Sequence, residues 1–187
     1  MTKLPEKWTK YRSVGNQIEK TRFVAFKTPL SEGYFEGQIL PSSEKLTLSR
    51  MVHEMKTKKL NIGLVIDLTT SFKYYDPTGW SGFDIEYKKL RCDGSHLLER
   101  RLEFYEIVDE YFRKEPAQLI GVHCVHGLNR TGFLICAYLV ERHGWKMTDA
   151  INAFEKARGH KIETSRGKLE ELEKQLLLSR SSEPSSS

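Results

Sequence analysis

The chain predicts an α/β fold: a largely parallel, twisted central sheet with helices on both faces. Three observations carry this expectation. Apolar runs of strand length alternate with longer segments of helical periodicity. The runs at 60–68 and 119–123 are dense in Ile, Leu and Val, as strands covered on both faces are. The segment 131–143 is apolar nearly all round, which places a helix at the centre of the molecule.

The elements follow in order. Residues 1–20 are polar with scattered aromatics, and Trp8, Tyr11 and Val14 predict an N-terminal arm packed on the domain. Residues 22–26 read as a strand that Pro29 ends. Residues 43–59 read as a helix, with Leu46, Val52 and Met55 as its apolar stripe and Ser43 as N-cap. Strands are expected at 60–68 and 87–92. Residues 97–113 predict an amphipathic helix with Leu98, Leu102, Tyr105, Ile107, Val108 and Phe112 inward. A strand at 119–123 precedes the central helix, which Gly144 stops. Thr148 is placed to cap a helix running to Arg158, with Gly159 as its stop. A last helix starts near Ser165 and carries Leu169, Leu172, Leu176 and Leu177. Residues 21–178 then form one domain, and the Ser-rich stretch 179–187 predicts a disordered tail.

The most informative stretch is His123-Cys124-Val125-His126-Gly127-Leu128-Asn129-Arg130-Thr131-Gly132. A strand, a tight loop and a helix N-terminus bind phosphate with backbone amides. A cysteine at the base of that loop supplies a nucleophile, provided that the thiol is ionised. Amides from Val125 to Arg130 and the helix N-terminus favour the anion. Gly127 eases the turn. Arg130 offers a planar fork to two phosphate oxygens, which a lysine cannot copy. Thr131 places a hydroxyl beside the sulfur. Asn129 is expected to shape the loop by side-chain hydrogen bonds. The competing reading, a buried inert cysteine, does not account for the loop around it. The implied chemistry is phosphoryl transfer through a phosphocysteine.

Composition narrows the setting. The net charge of +5 favours an anionic partner, and equally describes a solubilising surface. No apolar stretch reaches the ~20 residues that cross a bilayer, and Met1 to Pro5 begins no apolar leader, so neither a membrane nor a secretory route is expected. Three cysteines, an odd and sparse count, point to a reducing intracellular compartment, nucleus or cytoplasm. Cys136 reads as core. Cys92 reads as a small packed residue at a strand end, or as a disulfide partner for Cys124 on oxidation. His123 and His126 flank the nucleophile without metal-ligand spacing, so no metal or other cofactor is expected.

The same stretch resembles the signature loop of cysteine-dependent phosphatases, the tyrosine and dual-specificity superfamily. In its finer form it is similar to the RNA 5′-triphosphatase branch. Leu4-Pro5-Glu6-Lys7-Trp8, Phe26-Lys27-Thr28-Pro29-Leu30, Ile66-Asp67-Leu68-Thr69, Lys73-Tyr74-Tyr75 and Arg158-Gly159-His160-Lys161-Ile162-Glu163 extend the likeness over most of the chain, nearest to baculovirus and ribonucleoprotein-binding members. The resemblance implies a single-domain cysteine-phosphatase fold and metal-independent removal of phosphates from the 5′-triphosphate end of RNA. Phosphoproteins are the second substrate class, a DNA partner is not implied, and a monomer is expected. Two other readings are a protein tyrosine or dual-specificity phosphatase and a triphosphate-RNA binding module with little turnover. Relatives that cleave phosphoesters use an acid about thirty residues before the cysteine, where Asp93 stands; the alternative is an Asp-Gly turn. Asp67 is a candidate to orient Arg130 or nearby amides, or else a strand-end cap. Lys73 and Arg158 are candidates for the second and third phosphates. The chain departs from the branch at Val125, where Thr is usual, and at Ala137 and Thr164, where Arg is usual. Arg166, two residues on, is the candidate replacement for the latter.

Overall fold

The computed structural model describes residues 2–182. Five strands form one sheet in the order β1-β2-β5-β3-β4. They are β1 (Val14–Gln17), β2 (Phe23–Lys27), β3 (Ile62–Asp67), β4 (Glu86–Lys89) and β5 (Leu119–Cys124). Only β1 is antiparallel to its neighbour. β2, β3 and β5 are buried at every position, as a sheet covered on both faces requires.

Period-two alternation divides the apolar residues between two cores. Ala25, Leu64, Ile66, Ile120 and Val122 face one cluster with α2 (Leu97–Lys114), α3 (Asn129–His143), α4 (Met147–Arg158) and α5 (Arg166–Ser182). Val24, Phe26, Val65 and Leu119 face a second cluster, with α1 (Leu48–Thr57) and the aromatic residues Trp8 and Trp80. The ten consecutive residues from Thr131 to Val140 are all buried, so α3 is the central helix of the first cluster. Each fully buried Leu, Ile or Phe of these clusters contributes roughly 1.5–3 kcal/mol.

Several local expectations are corrected. Residues 14–17 form an edge strand, so the division at residue 20 falls inside the β1–β2 hairpin rather than between an arm and a domain. The first helix begins at Leu48, not near Ser43. The Leu30 N–H binds the Leu46 carbonyl, and Thr47 caps the helix by accepting from the Arg50 N–H. Lys146, not Thr148, is the N-cap of α4. In α2 the buried face is Leu97, Phe104, Tyr105, Val108 and Tyr111, and Leu102 is half exposed. Apolar residues lie on two sides of that helix, and only packing against α3 chooses between them. α5 continues to Ser182, so the expected tail does not begin at 179, and residues 183–187 lie outside the described residues.

Candidate active site

β5 delivers Cys124 at the carboxyl end of the central strand, on the face of the sheet that carries α3. The loop Val125–Leu128 then turns into α3. Its carbonyls are held from outside. The Thr28 N–H binds the Val125 carbonyl at 3.0 Å. Arg158 donates to the carbonyls of Gly127 at 2.9 Å and His126 at 2.8 Å. In a trans peptide the N–H points opposite to the carbonyl, so the amides of His126, Gly127 and Leu128 turn inward. Gly127 has φ +63°, and a Cβ there would sit 1.9 Å from the Phe26 carbonyl oxygen. Only glycine fits between this loop and β2.

Cys124 is buried, which alone would raise its pKa. The Arg130 guanidinium, then the Thr131 hydroxyl and the N–H groups of Thr131 and Leu128, outweigh burial and bring the thiol below its ordinary range. The Thr131 hydroxyl is buried and makes no other hydrogen bond among the described residues, which leaves it to the sulfur. Arg130 donates from Nη1 to the carbonyls of Cys92 at 3.0 Å and Leu68 at 3.4 Å. Those bonds fix the guanidinium at the mouth.

Above the sulfur lies a cleft of about 180 Å³. Cys124, His126, Asn129 and Arg130 line it from the loop and α3, and Gly94 and Leu97 from the start of α2. Thr164, Ser165 and Lys168 line it from the start of α5. Asn129 ties that wall to the loop: its Oδ1 accepts from the N–H groups of Glu163 and Thr164, each at 2.8 Å.

The surrounding candidates fall into different places. His123 is fully buried and points to the other face of the sheet. Its Nδ1–H donates to the Cys124 carbonyl at 3.1 Å, and its Nε2 meets the Tyr75 hydroxyl at 2.9 Å. Burial lowers its pKa, and it braces the loop from behind. His126 donates from Nε2 to the Glu6 carbonyl at 2.7 Å, and burial likewise lowers its pKa.

Asp67 is buried and does not hold Arg130. Its oxygens accept from Thr69, Tyr87 and Lys89 at 2.7–2.8 Å, which ties the end of β3 to β4. Arg158 is almost fully buried, donates also to the Arg12 carbonyl at 2.7 Å, and braces the loop from behind instead of meeting substrate. Lys73 is exposed, lies over the Tyr74 ring at 5.2 Å, and is not part of the cleft wall. Ala137 is fully buried, so the departure there removes no group from the cleft.

Asp93 is exposed and sits in a turn. One carboxylate oxygen accepts from the Ser95 N–H at 2.9 Å, the Ser95 hydroxyl at 2.6 Å and the His96 N–H at 3.1 Å. Ser95 first, then His96, hold this carboxyl far below the usual carboxylate range. Cys92 is a buried free thiol beyond the end of β4, and burial pushes its pKa up to about 11.

Sequence reasoning marked Thr164 only as a departure from the branch and missed Ser165 and Lys168 as cleft residues, which lie more than forty residues from Cys124. Their approach depends on how α5 packs on α3, and no local pattern encodes that. Among the described residues no cluster of three metal-ligating side chains occurs, and no helix is long and apolar enough to cross a membrane.

This geometry is matched by comparison with known proteins. The dual specificity phosphatase catalytic domain matches residues 47–175. The chain belongs to that family. It is 40% identical over 166 residues to the RNA/RNP complex-1-interacting phosphatase homolog of Caenorhabditis elegans, covering 86% of this chain and 71% of that protein. It is 42% identical to the putative tyrosine-protein phosphatase 1 of Orgyia pseudotsugata multicapsid polyhedrosis virus, covering 85% and 71%. Against the human RNA/RNP complex-1-interacting phosphatase the identity is 37%, and this chain spans 49% of that protein's length. The fold is shared with crystal structures of Tk-PTP in the active form (TM-score 0.59, 19% identity, 88% and 95% covered) and of PTPMT1 (TM-score 0.58, 20% identity, 91% and 99% covered).

Proposed function

We propose that this chain removes phosphate from the 5′-triphosphate end of RNA through a phosphocysteine, without a metal ion. The Cys124 thiolate attacks the terminal phosphorus. A sulfur–phosphorus bond forms as the bond to the bridging oxygen breaks, and the shortened RNA end leaves with that electron pair. Arg130 and the inward amides of His126, Gly127 and Leu128 hold the oxyanions throughout. Water then attacks the phosphocysteine, orthophosphate departs, and the Thr131 hydroxyl stabilises the returning thiolate.

The observation that carries the reading is the state of Asp93. A carboxylate tied into a turn by Ser95 and His96, and absent from the cleft wall, is not placed to protonate a leaving group. A phosphoanhydride leaving group is already a stable anion and needs none, whereas a tyrosine phenoxide is a poorer leaving group and does. Relatives whose names carry RNA/RNP interaction agree with it. Relatives named as tyrosine-protein phosphatases favour a second reading, hydrolysis of phosphoproteins, which requires Asp93 as acid.

The discriminating experiment measures kcat/KM on triphosphate-ended RNA and on a phosphotyrosine peptide, in excess EDTA, for the wild type and Asp93→Asn. The expected result is faster turnover of RNA, changed less than about threefold by the substitution. Faster peptide turnover with a large Asp93 effect overturns the RNA reading. Activity lost to EDTA and restored by magnesium overturns the thiolate mechanism.

A further inference from the structure

Lys168 stands in the first turn of α5 and lines the same cleft as Cys124 and Arg130. It is half-buried, and its ammonium makes no hydrogen bond or ion pair with any described residue. Arg166, the replacement expected from the sequence, is turned away: its Nη2 is held by the Glu155 carboxylate at 2.5 Å. Glu163, the nearest acidic residue before the helix, accepts instead from the Tyr11 hydroxyl at 2.8 Å. No Asp or Glu lines the cleft, and His126 is kept neutral by burial.

The charges in the cleft therefore leave a remainder. The Cys124 thiolate and the Arg130 guanidinium offset one another, and Lys168 has no anion of its own. An unpaired ammonium on a residue of the cleft wall is a point-charge receptor for phosphate. Its wall is also rigid, because the Glu163 and Thr164 N–H groups and the Ser165 hydroxyl are all bonded to Asn129, at 2.8 Å each. Lys168 is thus carried on the same residue that opens α3 beside the nucleophile.

We propose that Lys168 binds the phosphate next to the one under attack, and so selects phosphoanhydride chains over simple phosphate monoesters. This deepens the RNA reading, since it names the group that distinguishes a 5′-triphosphate from a phosphotyrosine.

The test uses inhibition of aryl phosphate turnover by orthophosphate and by pyrophosphate, so that it does not depend on RNA. The expected wild type binds pyrophosphate more tightly than orthophosphate. Lys168→Met reduces that preference about tenfold, the scale of one charge-assisted contact, and Lys168→Arg restores most of it. A misfolded fraction lowers the active enzyme concentration without moving the ratio of the two inhibition constants. On triphosphate-ended RNA, the Met variant is expected to lose kcat/KM chiefly through KM. An unchanged pyrophosphate preference in Lys168→Met overturns the proposal, even if wild-type RNA turnover is fast. A wild type that prefers pyrophosphate through Lys168 but does not hydrolyse RNA ends supports the subsite and overturns the RNA reading alone.

Discussion

Arg130 spends one guanidinium nitrogen on the carbonyls of Cys92 and Leu68, which leaves the rest of the fork to a phosphate. A lysine keeps the charge but lacks both the two-carbonyl anchor and the fork. Arg130→Lys is therefore expected to lower kcat by about 10²–10³-fold, with a smaller change in phosphate affinity. Single-turnover and steady-state rates on an aryl phosphate check this, and retention of most of kcat would show that Arg130 only positions. Residues of the loop were legible in the sequence because they are contiguous and each has a chemical reason for its type. Arg158 was legible as a charged residue near the site but not as a brace, and for Asp67 the sequence left orienting Arg130 and capping the strand end both open. Which atoms a buried charge meets depends on chain segments brought together by folding, Arg12 in one case and Lys89 in the other.

Arg158, at the last turn of α4, connects three elements through the carbonyls of Gly127, His126 and Arg12. Burial pushes its pKa down to about 10, so it remains charged at neutral pH. Arg158→Met keeps the aliphatic packing and orphans those carbonyls. Each buried group left unpaired costs about 1–3 kcal/mol, so a fall in Tm on the order of 5–10 °C is expected. Calorimetry checks it; a Tm within a degree of wild type would remove the bracing role. Asp67 gives the element scale a pH signature. Burial would raise its pKa, but His123, Lys89 and the Thr69 donors bring it below the usual carboxylate range. The unfolded state then takes up the proton first, at about pH 4. The stabilisation is complete above that value and is lost as pH falls through the lower folded pKa. Asp67→Asn is expected to be less stable than wild type at pH 7 and to approach it in acid. Urea unfolding of both proteins from pH 7 to pH 3 measures this; a difference that grows toward acid contradicts it.

Across the whole molecule, the sheet places β5 between β2 and β3, so the loop sits at the centre of its carboxyl edge with a core on either side. The net charge of +5 acts at this scale. If RNA is the substrate, several phosphates beyond the reacting one release counterions on binding. Between about 50 and 200 mM salt, kcat/KM on triphosphate-ended RNA is expected to fall at least several-fold more than that on a small aryl phosphate. Equal salt dependence of the two substrates would confine recognition to the cleft.

The α/β class, the central strand and the buried helix follow from the sequence alone, because periodicity and burial on both faces are local properties of 119–124 and 131–140. So does the loop between them, whose cysteine, glycine and arginine stand at spacings that one phosphate imposes. Only the tertiary structure decided that residues 14–17 pair as a strand and that Arg158 lies behind the loop. It alone set Lys168 at the cleft while Arg166 turned to Glu155. These outcomes depend on pairing partners and helix rotation, and both are settled by contacts between segments far apart in the chain. A surface lysine on α5 has the same local sequence signal whether it faces water or a phosphate.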